Sequence, residues 1–119
     1  MIRKVRMRHI RKKRGRRKIF GTKDKPRMTV YRSNKNIYVQ VIDDLEGKTI
    51  CATSTLNQDM KPELDDLSKI EQAKKVGIKI AELCKENKVK TVVFDKSGFR
   101  YHGRVRSLAE GAREGGIDF

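Results

Sequence analysis

The stretch RMTVYRSNKNIYVQVID, residues 27–43, constrains the fold of this chain more than any other. Two runs rich in β-branched and aromatic residues, 28–32 and 37–42, flank Ser33, Asn34, Lys35 and Asn36. Ser and Asn side chains bond to nearby backbone and so favour turns. Strand, polar turn, strand reads as a β-hairpin. Side chains alternate across a strand, so Ile37, Val39 and Val41 share one face and Tyr38, Gln40 and Ile42 the other. One face can bury. The other offers an aromatic ring and an amide beside Arg32 and Lys35.

The elements after the hairpin follow from spacing. Asp43, Asp44, Leu45, Glu46 and Gly47 form a second turn, and residues 48–55, KTICATST, a third strand, which completes an antiparallel meander. Residues 56–68 read as a polar connection containing Pro62. Ser68 is a helix cap, with Glu71 placed to complete a capping box. From residue 69 to about 87, Ile70, Ala73, Val76, Gly77, Ile80, Leu83 and Cys84 recur at intervals of three and four, the apolar stripe of an amphipathic helix. Lys74, Lys75, Lys79 and Lys85 fall mostly on its solvated side. Residues 91–94, TVVF, read as a short strand buried on both faces, ending at Asp95. Residues 104–114 form a second helix with Val105, Leu108, Ala109 and Ala112 inward. Gly115 and Gly116 stop it, and Ile117 and Phe119 fold back on the core. A meander followed by helix, strand and helix implies a right-handed crossover onto a mixed sheet. The predicted fold is a small two-layer α/β sandwich of about four strands packed with two helices.

Charge divides the chain unevenly. Of the net +15, residues 1–27 carry 14 cations against Asp24 alone, and residues 28–119 are nearly neutral. This gives a basic arm and linker over residues 1–26, expected to be disordered without a partner, and a globular domain over 27–119. The arm has too few apolar anchors to bury a face, and its like charges repel. Its 20-residue start holds seven Arg and four Lys, with His9 standing alone among them. Each cation that neutralises a phosphate releases condensed counterions, so a nucleic acid is the first-choice partner, ahead of an anionic membrane or a solubility tail. No apolar run reaches the ~20 residues needed to span a bilayer, and no apolar segment follows the arginines as in a secretory signal. A transit peptide would be Ser-rich, and the first 20 residues contain no Ser. Cys51 and Cys84 form no CxxC and read as two small buried hydrophobes, consistent with a reducing cytosol.

Three stretches are candidates for function. The first is the arm. The second is the hairpin edge, where Arg32, Asn34 and Lys35 can reach phosphate, sugar or base edges and Tyr31 or Tyr38 can stack; a plain solvent-facing hairpin is the alternative. The third is KSGFRYHGR, residues 96–104, between a strand and a helix. Strand carboxyl ends and helix N-termini gather anionic ligands. Its interleaved cations and aromatics suit RNA, in which unpaired bases stack on rings while cations hold the backbone. The bland alternative is that Phe99 and Tyr101 pack. A contrasting reading is a Mg²⁺-dependent nuclease holding its metal on Asp43, Asp44 and Asp95, all at strand ends. Ordinary turn and capping roles account for those acids as well. No Ser/His/Asp or Cys/His set and no P-loop is readable, and two isolated His residues make no metal cluster.

Read together, GTKDKPRMTVYRSNKNIYVQVIDD, KTICATST, the Ala-Lys-Lys-Val-Gly helix and VVFDKSGFRYHGRVRSLAEGAREGGIDF resemble the bacterial type of large-subunit ribosomal protein number eighteen, from about Arg11 to Phe119. PRMTVYRSNKNIYVQ and YHGRV with the Ala-Arg-Glu-Gly-Gly ending carry most of the resemblance. It implies a binding protein with no enzymatic activity and no cofactor, small-molecule substrate or membrane. It also implies a mixed-sheet α/β sandwich whose basic N-terminus orders on RNA. The implied partners are 5S rRNA, 23S rRNA and neighbouring proteins of the central protuberance, in the cytoplasm. The implied RNA contacts in the arm are Arg3, Lys4, Arg6, Arg8, Arg11, Lys12, Lys13, Arg14, Arg16, Arg17 and Lys18. Those in the hairpin are Arg27, Arg32, Ser33, Asn34, Lys35, Tyr38 and Gln40, and those in the later loop and helix are Lys96, Phe99, Arg100, Tyr101, His102, Arg104 and Arg106.

Overall fold

The computed structural model describes residue 10, residues 19–58 and residues 60–119. The arm contacts at positions 3–8 and 11–18 lie outside the described residues.

The hairpin forms as its alternation predicts. Strands β1 (Arg27–Arg32) and β2 (Ile37–Asp43) pair antiparallel with Tyr31 opposite Tyr38 and Thr29 opposite Gln40. Met28, Val30, Ile37, Val39 and Val41 are fully or almost fully buried. Strand β3 (Lys48–Ser54) joins β2 antiparallel, with a bulge where Val41 and Ile42 change register. Strand β4 (Val93–Asp95) pairs parallel to β1, giving the order β3-β2-β1-β4 in one mixed sheet. β4 differs from its expectation. It begins two residues later and forms a half-buried edge, while Thr91 makes an isolated bridge to Asp118. Short apolar runs look the same whether central or at an edge, because burial depends on what the neighbouring chain covers.

Both long helices lie on the buried face of the sheet, where they share one core with it. The connection before them contains a four-residue helix, α1 (Lys61–Leu64), with Pro62 near its start and Leu64 inward. Helix α2 (Lys69–Glu86) starts at the Ser68 cap, whose hydroxyl accepts the Glu71 N–H at 3.3 Å. Ala73, Val76, Gly77, Ile80 and Cys84 are buried as predicted, but Ile70 is 54% exposed. It is the second residue of the helix, in the first turn, ahead of the buried part of the stripe that begins at Ala73. Helix α3 (Gly103–Glu114) lies so close to α2 that neither contact glycine has room for a side chain. A Cβ on Gly77 would collide with the Leu108 carbonyl, and one on Gly111 with the Lys74 carbonyl. Ser107 Oγ donates to the Ile70 carbonyl at 2.7 Å across the same seam. Gly116 (φ 101°) adopts the left-handed conformation that ends α3. Its N–H reaches the Arg113 carbonyl and that of Ile117 the Ala112 carbonyl, turning Ile117 into the core.

One local expectation changes in three dimensions. Residues 21–26 are not a free linker. The Gly21 N–H donates to Asp44 Oδ2 at 2.8 Å, its carbonyl accepts from the Asp44 N–H, and the Pro26 carbonyl accepts from Val93. The two cysteines, 33 residues apart, meet across β3 and α2 with Sγ atoms 3.9 Å apart. Both are free thiols, Cys84 buried and Cys51 half-buried.

Candidate nucleic-acid interface

The hairpin turn is fixed by its own small polar residues. The Ser33 N–H donates to the Asn36 carbonyl at 2.9 Å, and the Asn36 N–H donates to Ser33 Oγ at 3.1 Å. Asn36 Oδ1 accepts from the Thr55 hydroxyl, which ties the turn to the end of β3. Arg32, Asn34 and Lys35 are left exposed around this clasp.

The loop between β4 and α3 is held just as firmly. Asp95 Oδ1 accepts the Ser97 N–H at 2.9 Å, and Ser97 Oγ meets Thr29 Oγ1 on β1 at 2.7 Å. Ser97 and Gly98 both take positive φ, which turns the chain back over the sheet edge. Phe99 is thereby set edge-on to Tyr31, centroids 5.8 Å apart, and Tyr31 lies 6.0 Å from Tyr38. The Arg32 guanidinium stands 5.6 Å from the Phe99 centroid. Tyr38, Tyr31, Phe99 and Arg32 thus form a continuous row drawn from β2, β1 and the loop.

Arg104, at the first turn of α3, closes the join. Its Nη1 donates to the Ser33 carbonyl at 2.9 Å, and Lys69 Nζ donates to the Asn34 carbonyl at 2.7 Å. Burial and the neighbouring Arg32 together hold the Arg104 guanidinium below the ordinary arginine pKa. A cavity of about 300 Å³ remains, lined by Arg32, Ser33, Asn34, Lys69 and Arg104. Lys69 adds to the expected residues. Its sequence signal is a cation in the first turn of a helix, which opposes the helix dipole and calls for another role.

The remaining expected residues divide by surroundings. Gln40, Lys96, Arg100 and His102 are exposed. Arg106 is exposed one turn into α3 and pairs with Glu110 at 2.9 Å. Tyr101, 39% exposed, turns toward the C-terminal end, its ring edge on Phe94 and its hydroxyl accepting from Arg113.

Arg27, at the start of β1, is held by two carboxylates. Its side chain is 11% exposed and bridges Asp44 at 2.9 Å and Asp95 at 2.8 Å. Burial opposes its charge, but the hydrogen bonds to Asp44 and Asp95 outweigh that and raise its pKa above the ordinary value. The same bridge bears on the nuclease alternative. Asp44 and Asp95 already hold a cation between them, Arg27 itself, and Asp43 Oδ1 accepts the N–H groups of Leu45 and Glu46 in its turn. Among the described residues no group of three or more His, Cys, Asp or Glu could hold a metal, and no helix is long and apolar enough to cross a membrane.

A small mixed-sheet domain joining a cationic hairpin tip to an aromatic and basic loop is the geometry of an RNA-binding protein. Comparison with known proteins narrows the class. A family model described as ribosomal L18 of archaea, bacteria, mitochondria and chloroplast matches residues 2–119. Large ribosomal subunit protein uL18 of Sorangium cellulosum is 54% identical over 112 residues, 94% of each chain. Its namesake from Clostridium kluyveri is 50% identical over 122 residues, 100% of each chain, and that from Lactobacillus acidophilus 49% identical over 116 residues, 98% of this chain and 93% of its own. The chain belongs to the ribosomal L18 family, and is a structural constituent of the ribosome rather than an enzyme.

Proposed function

We propose that this protein binds 5S rRNA in the large ribosomal subunit, in the cytoplasm, and helps attach it to 23S rRNA in the central protuberance beside neighbouring large-subunit proteins. The observation that carries the reading is the join between the hairpin tip and the start of α3, where Arg104 donates to the Ser33 carbonyl. It makes one surface of two stretches about 70 residues apart. The row Tyr38, Tyr31 and Phe99 offers faces to unpaired bases. Arg32, Ser33, Asn34, Lys35, Gln40, Lys96, Arg100, His102, Arg104 and Arg106 offer donors to phosphate and sugar, and Tyr101 a hydroxyl at the margin. Arg27 is omitted because Asp44 and Asp95 engage it. The folded domain sets register, and the eleven cations of the first 20 residues supply sequence-independent affinity.

The test is a binding comparison at one salt concentration between 5S rRNA and an unrelated RNA duplex of similar length, with a footprint on 5S rRNA. Preference for 5S rRNA with a localised footprint is the expected result. Equal affinity for both would mean a non-specific basic protein and would overturn the reading.

A further inference from the structure

We propose that the recess between the hairpin tip and the starts of α2 and α3 is a seat for a single phosphate group, gripped by the free edge of the Arg104 guanidinium and flanked by Arg32 and Lys69. The proposal rests on the RNA-binding reading for the source of that phosphate, a phosphodiester of the bound RNA.

Arg104 is 8% exposed. Its Nη1 is satisfied by the Ser33 carbonyl, but Nε and Nη2 have no hydrogen-bond partner among the described residues. Buried polar groups are almost always paired, and a charged donor left without an acceptor is among the most costly exceptions. The two unpaired atoms lie on the same edge of the guanidinium plane, the side away from Nη1. Two parallel N–H groups on one edge match two oxygens of one anion, the bidentate geometry in which arginine holds phosphate and carboxylate.

The surroundings select an anion and offer it no rival. Three of the five lining residues are cations and none is a carboxylate. The backbone acceptors that the turn points inward, the carbonyls of Ser33 and Asn34, are already taken by Arg104 Nη1 and Lys69 Nζ. Arg32 lies close enough to Arg104 to disfavour its charge, a repulsion that an anion between them would reverse. Arg32 and Lys69, both exposed and on flexible stems, stand at the rim of the recess. A phosphodiester places two unbridged oxygens on the Arg104 edge and still lies within reach of both rim cations.

The test uses the full-length ¹⁵N-labelled protein and follows arginine Nε–H resonances, with that of Arg104 assigned from its loss in Arg104→Lys. Inorganic phosphate is titrated at constant ionic strength. The Arg104 resonance is expected to move saturably while that of exposed Arg106 does not. Lys69→Ala or Arg32→Ala, which leave the Arg104–Ser33 bond in place, should each weaken the phosphate response about tenfold, as loss of one charged hydrogen bond does. An Arg104 resonance that stays still, or only drifts in step with Arg106, overturns the seat. Adding 5S rRNA to the phosphate-loaded protein then tests the source. Displacement of the phosphate response supports an RNA phosphodiester. RNA that binds while the phosphate signal persists overturns that assignment. Failure of 5S rRNA to bind at all overturns the proposed function, and with it the assigned source, while the phosphate titration still decides the seat.

Discussion

Arg104 Nη1 and the carbonyl of Ser33 lie 2.9 Å apart, although 71 residues of chain separate them. The bond joins the first turn of α3 to the tip of the β1–β2 hairpin. It uses a backbone acceptor, so its geometry survives side-chain changes in the tip but not the loss of Arg104. Arg104→Ala is expected to loosen the tip and to weaken 5S rRNA binding by about 1–3 kcal/mol, the usual value of a well-formed arginine contact. Hydrogen exchange at the Ser33 and Asn36 amides and a binding isotherm measure the two effects. Wild-type values in both would remove Arg104 from the interface.

Arg27 and Arg32 stand at the two ends of one strand and are expected to behave oppositely. Arg27→Ala leaves Asp44 and Asp95 without their shared partner, and stranding a buried charge in this way costs roughly 3–5 kcal/mol of stability. Arg32→Ala removes an exposed cation over Phe99 and should leave the unfolding free energy within about 0.5 kcal/mol of wild type while weakening RNA binding. Urea unfolding and RNA titration on both variants check the contrast. A stable Arg27→Ala protein would contradict the structural role given to the bridge.

Removal of residues 1–20 should leave the domain folded, weaken RNA binding and flatten its salt dependence. The slope of log affinity against log salt becomes shallower by about 0.7–0.9 for each phosphate that the arm no longer neutralises. An unchanged slope would show that the arm neutralises no phosphates.

Gly77→Ala and Gly111→Ala test the helix seam. Each added methyl meets a backbone carbonyl of the opposite helix, so the helices must separate. A loss of about 1–3 kcal/mol is expected for each, as for other overpacked sites. Because both substitutions favour isolated helix, a gain in stability would mean that the helices are less closely apposed than described.

The thiol pair gives a pH-dependent prediction. The hydrogen bond with Cys84 lowers the pKa of Cys51, against the opposing effects of burial and Glu86. The bond with Cys51 and burial raise that of Cys84 far above the thiol range. Because the thiolate is the nucleophile, iodoacetamide should modify half-buried Cys51 first, with a rate that levels off below the pH of an ordinary thiol. Peptide mapping after partial alkylation reads the order. Equal labelling of the two would refute it.

Local periodicity determined much of this protein. Alternation fixed β1, β2 and their buried face, because a strand's two sides differ by a single residue step. Three-and-four spacing and the Ser68 cap fixed α2, and the paired glycines fixed the end of α3. The uneven charge fixed the kind of partner, since clustered cations attract a polyanion whatever the fold. Other features depended on contacts between distant segments, which no local pattern encodes. Arg27 and Arg32 are alike in sequence, yet one lies between two carboxylates and the other faces solvent, because β4 and the β2–β3 turn bring Asp95 and Asp44 to only one end of β1. Ile70 fits the apolar stripe of α2 but stays exposed in the helix's first turn. Cys51 and Cys84 become neighbours only when α2 crosses β3. Above all, the hairpin tip and the loop before α3 are one surface only because β4 docks parallel to β1 and carries Ser97, Phe99 and Arg104 onto the hairpin. The sheet order set that adjacency, and the sheet order is a property of the whole chain's packing.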